Sequence, residues 1–93
     1  MRGKVVLITG GSSGIGKALA FSFGKAGANI VVTGRQETPL REVSEQLSAA
    51  GIEHLTLVAD VSVRADNERM VRETLARFGR LDVLINNAGI SMR

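Results

Sequence analysis

Val5-Val6-Leu7-Ile8-Thr9-Gly10-Gly11-Ser12-Ser13-Gly14-Ile15-Gly16 is the stretch that decides the fold. It begins as an unbroken apolar, β-branched run from Lys4 to Thr9, the pattern of a strand buried on both faces. Glycines and serines interrupt the run from Gly10. From Ser13 to about Ala26 the positions Ile15, Ala18, Leu19, Ser22, Phe23 and Ala26 recur at helical spacing, and Gly27 ends the helix. The glycines therefore stand where a strand end meets a helix start. Without side chains there, backbone N–H groups and the positive end of the helix dipole are open to an anion such as a pyrophosphate. Gly10 suits the tight turn, Gly14 the close backbone approach and Gly16 the packing of helix on strand. The spacing differs from the common G-x-G-x-x-G.

The same alternation continues downstream. Asn29 to Thr33 reads as a second strand. Thr38 is expected to cap a second helix with Pro39 in its first turn; Leu40, Val43 and Leu47 share a face and Gly51 closes it. Leu55 to Ala59 is a third strand, ending at Asp60. A third helix runs from Ser62 to about Phe78, with Met70, Val71, Leu75 and Phe78 turned inward and Gly79 as its left-handed stop. Leu81 to Ile85 is a fourth strand, leading into Asn86-Asn87-Ala88-Gly89. This predicts an α/β fold, a doubly wound parallel sheet (Rossmann-like) that is partial: β-α-β-α-β-α-β with strand order 3-2-1-4. The first two helices then share one face and the third lies alone on the other. Strand 4 is left as a free apolar edge under a half-covered face.

Composition narrows the function classes. At 93 residues, 44% hydrophobic and 23% charged, the chain suits one small globular domain and not an acidic disordered tail. No apolar run exceeds four residues, far from the roughly 20 of a membrane span or the roughly 7–15 of an export core. No membrane association is expected, and a cytoplasmic location is. The chain has no cysteine, which excludes disulfides, thiolate zinc sites and cysteine nucleophiles. The pI of about 10.2 reflects only 12 basic residues against 9 acidic ones. With neither Cys nor Tyr, only Lys4, Lys17 and Lys25 titrate in that range. Basic residues also alternate with acidic ones, so nucleic-acid binding, which needs a long basic face, is not expected. His54 stands alone and reads as a surface residue.

Further candidates sit at the strand ends. Where many such folds carry an acid that holds ribose hydroxyls, this sequence has Gly34 followed by Arg35. Loss of the carboxylate removes repulsion, and a guanidinium can grip a 2′-phosphate with two hydrogen bonds, which favours NADP over NAD. Asp60 either accepts from an adenine amino group, with Val61 behind the ring, or caps the third helix. Ala88 and Gly89 leave room for a ribose, and the Asn86 and Asn87 amides can tie strand ends together.

Together, Thr9-Gly10-x-x-x-Gly14-x-Gly16, Gly34-Arg35, Asp60-Val61 and Asn86-Asn87-Ala88-Gly89 resemble the short-chain dehydrogenase/reductase family, of the NADP-preferring type. The resemblance covers essentially the whole chain. It implies an oxidoreductase that passes a hydride between NADP(H) and a small-molecule carbonyl or alcohol. It further implies that Gly10, Ser12, Ser13, Gly14, Ile15 and Gly16 line the pyrophosphate, Arg35 the 2′-phosphate, Asp60 and Val61 the adenine, and Asn87, Ala88 and Gly89 the ribose region. The family's catalytic Ser, Tyr and Lys lie downstream of the Asn-Asn-Ala-Gly motif, and this sequence contains no tyrosine. Residues 1–93 are thus expected to be the N-terminal, dinucleotide-binding half, inactive by itself. The alternative is a non-catalytic assembly or binding module using the exposed strand 4 edge, with self-association or homo-oligomers expected from that edge.

Overall fold

In the computed structural model, which describes residues 1–12 and 14–87, β1 (Val5–Thr9) is buried at every residue. It pairs in parallel with β2 (Asn29–Gly34) on one side and β4 (Val83–Asn86) on the other. β2 in turn pairs with β3 (His54–Val58), so the sheet order is β3-β2-β1-β4. Parallel neighbours require crossovers, and these are α1 (Gly14–Lys25), α2 (Glu37–Ala49) and α3 (Arg64–Phe78). The expected partial doubly wound sheet is the architecture observed.

Alternation along the strands builds two cores. Val6, Ile8, Ile30 and Val32 pack with Ala20 of α1 and Leu40, Val43 and Leu47 of α2. Val5, Leu7 and Val31 face the other way, clustered with Leu57 of β3 and Ala59 just beyond it and packed with Met70 of α3. The second core is the smaller because one helix covers that face; Leu84 of β4 stays 57% exposed, and Val71 and Leu75 of α3 stay 38% and 45% exposed.

Several expectations are corrected. Val71 and Leu75 do not face inward; Met70 and Thr74 do, the Thr74 hydroxyl donating back to the Met70 carbonyl at 2.7 Å. An apolar stripe wider than its covered face is what misled the periodicity. On α1, Ile15, Ala18 and Ser22 are exposed while Gly16 and Ala20 are buried. The α2 helix starts at Glu37 after Gln36, so Thr38 lies inside its first turn and caps nothing. His54 opens β3 and is half-buried: Nε2 lies 2.7 Å from the Ser44 Oγ and Nδ1 2.9 Å from the Ile52 carbonyl. Gly79 does end α3 in the left-handed region, at φ 78°.

Asp82 anchors the foot of β4. Its Oδ2 accepts the Val5 N–H at 2.8 Å, its own N–H donates to the Val5 carbonyl at 3.0 Å, and Arg80 reaches Oδ1 at 2.7 Å. The Arg80 hydrogen bond, then the Val5 N–H, holds the Asp82 carboxyl below the usual carboxylate range. A depressed folded pKa stabilises the fold above the unfolded value of about 3.9 and is lost as pH falls through the folded value. Asp82→Asn keeps an acceptor for Val5 but not the charge. Melting followed by circular dichroism should show the variant below the parent at pH 7. That gap should close as pH falls from about 4; a gap independent of pH would contradict the assignment.

Candidate functional site

The candidate residues that the structure describes gather at the C-terminal ends of the strands. Gly10, at φ 67°, turns the chain across the end of β2, where the Thr33 carbonyl accepts both the Gly10 N–H at 2.9 Å and the Gly11 N–H at 3.2 Å. The loop then lies directly on the sheet: a Cβ at Gly11 would stand 2.8 Å from Val32 Cγ1. Gly16 is more tightly enclosed. A Cβ there would stand 2.5 Å from the Gly10 carbonyl oxygen, 2.6 Å from Asn87 Nδ2 and 2.9 Å from Gly11 Cα. Its neighbours are therefore the loop and Asn87 rather than the sheet itself.

Asn87 donates from Nδ2 to the Gly10 carbonyl at 3.1 Å, and Thr9 Oγ1 donates to Asn86 Oδ1 at 3.0 Å. The two asparagines thus tie β4 to β1 and to the glycine loop, as their amides suggested. Gly14 presents the opposite case to Gly16. Its φ of 58° is left-handed, and a Cβ there would meet nothing within 4 Å among the described residues. One side of the loop is closed against the protein and the other is open.

Electrostatics favour an anion on the open side. The first turn of α1 carries no acidic residue, whereas α2 has Glu37 and α3 has Asp66 there. The positive end of the α1 dipole is left without a first-turn carboxylate of its own.

Beside the loop lies a crevice of about 250 Å³, walled by Gly10, by Thr33 to Arg35 and by Ala59 to Ser62. It is smaller than the roughly 300–1,000 Å³ of a pocket for a whole drug-sized ligand, and suits one nucleoside end. Arg35 is exposed at its wall, and among the described residues no carboxylate lies within salt-bridge distance of it. Gly34 lets Ser12 approach, since its Cβ position is 3.3 Å from Ser12 Oγ.

Asp60 does not cap α3, whose N-cap is Val63. Its Oδ1 instead accepts the Ser62 hydroxyl at 2.7 Å and the Ser62 N–H at 2.9 Å. Those bonds, led by the hydroxyl, lower the Asp60 pKa, with Arg35 adding a smaller favourable charge. Asp60 is therefore a carboxylate at neutral pH, an acceptor suited to an amino group. Ile15 is 53% exposed at the start of α1, and Lys17 is half-buried. Ser13, Ala88 and Gly89 lie outside the described residues.

Thr33 was not foreseen. Its side chain is fully buried in the crevice wall, and Oγ1 has no hydrogen-bond partner among the described residues. A buried unpaired hydroxyl costs about 1–3 kcal/mol. Thr33→Val should therefore raise stability by about 1 kcal/mol in urea unfolding; a loss of stability would show that the hydroxyl is satisfied in solution. Asp66 and Asn67 also escaped the sequence, because their bonds run to backbone atoms that no residue pattern marks.

An open left-handed glycine, an uncompensated helix start and a crevice with one cation and one carboxylate fit the phosphates and base of a nucleotide. No helix among the described residues is long and apolar enough to cross a membrane.

The family model for short chain dehydrogenase matches residues 4–93. The chain is 51% identical over 89 residues to 11-beta-hydroxysteroid dehydrogenase A of Sesamum indicum, covering 95% of this chain and 26% of that protein. It is 47% identical over 92 residues to 11-beta-hydroxysteroid dehydrogenase-like 4A of Arabidopsis thaliana, covering 98% and 31%. A metagenomic short-chain oxidoreductase, solved in complex with NADP, matches with a TM-score of 0.89 at 40% identity, over 97% of this chain and 41% of that one. The chain thus spans 26% and 31% of the two curated relatives.

Proposed function

The chain belongs to the short-chain dehydrogenase family, and on that premise we propose that residues 1–93 form the dinucleotide-binding part of an NADP(H)-dependent oxidoreductase acting on a small-molecule carbonyl or alcohol. The observation that carries the NADP preference is Arg35, standing without an ion-pair partner among the described residues in the wall of a crevice shared with Asp60. The solved relative in complex with NADP supports the choice of cofactor.

When bound, the cofactor supplies a nicotinamide carbon that gives or takes a hydride. The residues described do the holding. Gly10, Ser12, Gly14, Ile15 and Gly16 leave backbone room for a pyrophosphate at the start of α1, where the dipole favours negative charge. Ser13 belongs to the same loop. Arg35 offers two parallel N–H donors to a 2′-phosphate. Asp60 accepts from the adenine amino group and Val61 lies against the ring. Asn87 borders the ribose and, through its bond to the Gly10 carbonyl, keeps the loop in place; the ribose role read for Ala88 and Gly89 falls outside the described residues.

Titrating the chain with 2′-phospho-ADP-ribose and with ADP-ribose tests the proposal. Tighter binding of the phosphorylated ligand supports it. Equal affinities would defeat the NADP assignment, and no binding of either to folded protein would defeat the nucleotide assignment. A second function, self-association through β4, is favoured by the exposed Leu84, Val71 and Leu75 on the half-covered face. Sedimentation that finds only monomer at high concentration would dismiss it.

A further inference from the structure

Three side chains in the first two turns of α3 reach back to the backbone that leads into the helix. Asp66 Oδ2 accepts the Asp60 N–H at 2.8 Å, and Asn67 Nδ2 donates to the Val61 carbonyl at 2.8 Å. Arg69 Nη2 donates to the Val58 carbonyl, and the same guanidinium is held by Glu73 at 3.0 Å and by Asp66 at 3.7 Å. Polar side chains at a helix start commonly satisfy that helix's own free N–H groups. Here the N-cap, Val63, makes no side-chain bond, and the first-turn groups serve the incoming strand end instead.

The segment they hold has a particular place. Asp60 and Val61 wall the crevice beside Arg35. Val61 also borders, with Asn67, Leu7, Met70 and Leu84, a groove of about 340 Å³ on the half-covered face. Val61 is thus a partition between two cavities, and its main chain is pinned from the α3 side.

We propose that Asp66 and Asn67 are positioning residues for nucleotide recognition: they fix the backbone of Asp60 and Val61, and so set affinity for the adenine-bearing end of the ligand while leaving the phosphate loop untouched. The inference rests on the nucleotide function proposed above. The two parts of the site are held by different bonds. The glycine loop is tied to Thr33 and Asn87, whereas the adenine wall is tied to α3. Loosening the wall therefore acts on one part of the ligand only.

The experiment uses the whole chain, with adenosine 2′,5′-bisphosphate and inorganic pyrophosphate as calorimetric probes. Asp66→Ala and Asn67→Ala should each weaken the bisphosphate about 5–10-fold, the worth of one loop hydrogen bond, and pyrophosphate by less than about twofold. Asp66→Asn, which keeps an acceptor for the Asp60 N–H, should stay within about twofold of the parent. Equal losses for both probes, no loss, or an Asp66→Asn as weak as Asp66→Ala would overturn the proposal.

A measurement on the unaltered chain decides the matter if an alanine variant does not fold. The Asn67 side-chain amide resonance should shift on adding the bisphosphate and not on adding pyrophosphate; an unmoved signal overturns the proposal. A parent that binds neither probe overturns the nucleotide function and the positioning role together. A parent that binds both, with unaltered variants, overturns the positioning role alone.

Discussion

Gly16→Val collapses the site and lowers stability by about 3 kcal/mol, a drop in Tm of at least about 12 °C for a domain of this size. The added Cβ would stand 2.5 Å from the Gly10 carbonyl oxygen and 2.9 Å from Gly11 Cα, and backbone atoms do not yield as a side-chain tip does. It would also stand 2.6 Å from Asn87 Nδ2, displacing the amide that donates to Gly10. The loop, the start of α1 and the end of β4 are therefore pried apart by one atom. Gly14→Ala separates this structural demand from the ligand's. Its φ of 58° makes alanine cost about 1–2 kcal/mol, yet among the described residues nothing lies within 4 Å of the new methyl. That variant should remain folded and lose affinity for pyrophosphate, because the methyl occupies the open side. Thermal melting with pyrophosphate titration checks both. A Gly16→Val protein that melts with the parent would overturn the account of the loop.

Arg35→Glu has the largest expected effect on ligand choice. A charge-assisted hydrogen bond is worth about 1.5–3 kcal/mol, so losing the guanidinium should weaken binding of 2′-phospho-ADP-ribose by roughly 10–100-fold. The new carboxylate also repels the phosphate, while it can accept from free ribose hydroxyls. The preference between 2′-phospho-ADP-ribose and ADP-ribose should therefore vanish or reverse. Stability should hardly move, within about 0.5 kcal/mol, because Arg35 is exposed and has no ion-pair partner among the described residues. Arg35→Lys should keep part of the preference, as a point charge without the planar fork. An unchanged ligand ratio in Arg35→Glu would remove Arg35 from the site.

The exposed stripe of α3 shows where periodicity misleads. Val71 and Leu75 are spaced four apart, as Met70 and Thr74 are one residue before them, and spacing alone cannot tell a face covered by the sheet from one left open. The same limit applies to α1, where Gly16 and Ala20 are buried while Ile15 and Ala18 are exposed. His54 was misread for a related reason: its partners, Ser44 and the Ile52 carbonyl, belong to a neighbouring helix and its closing turn.

Strand order, the side of the sheet that each of the three helices covers and the place of the glycine loop were all legible in the residues alone. Each rests on local chemistry: β-branched apolar runs, helical spacing, glycine where φ must be positive, and the fixed hand of the crossovers. Only the tertiary structure decided which bonds assemble the candidate site. Asn87 meets Gly10 across 77 residues of chain, and Asp82 meets Val5 across as many. Asp60 turns its carboxylate to Ser62 instead of capping α3, while Asp66 accepts its N–H and Asn67 holds the Val61 carbonyl, both from a helix turn that no motif marks. Such contacts depend on where the sheet brings distant strand ends together, and a one-dimensional pattern of polarity carries no record of that distance.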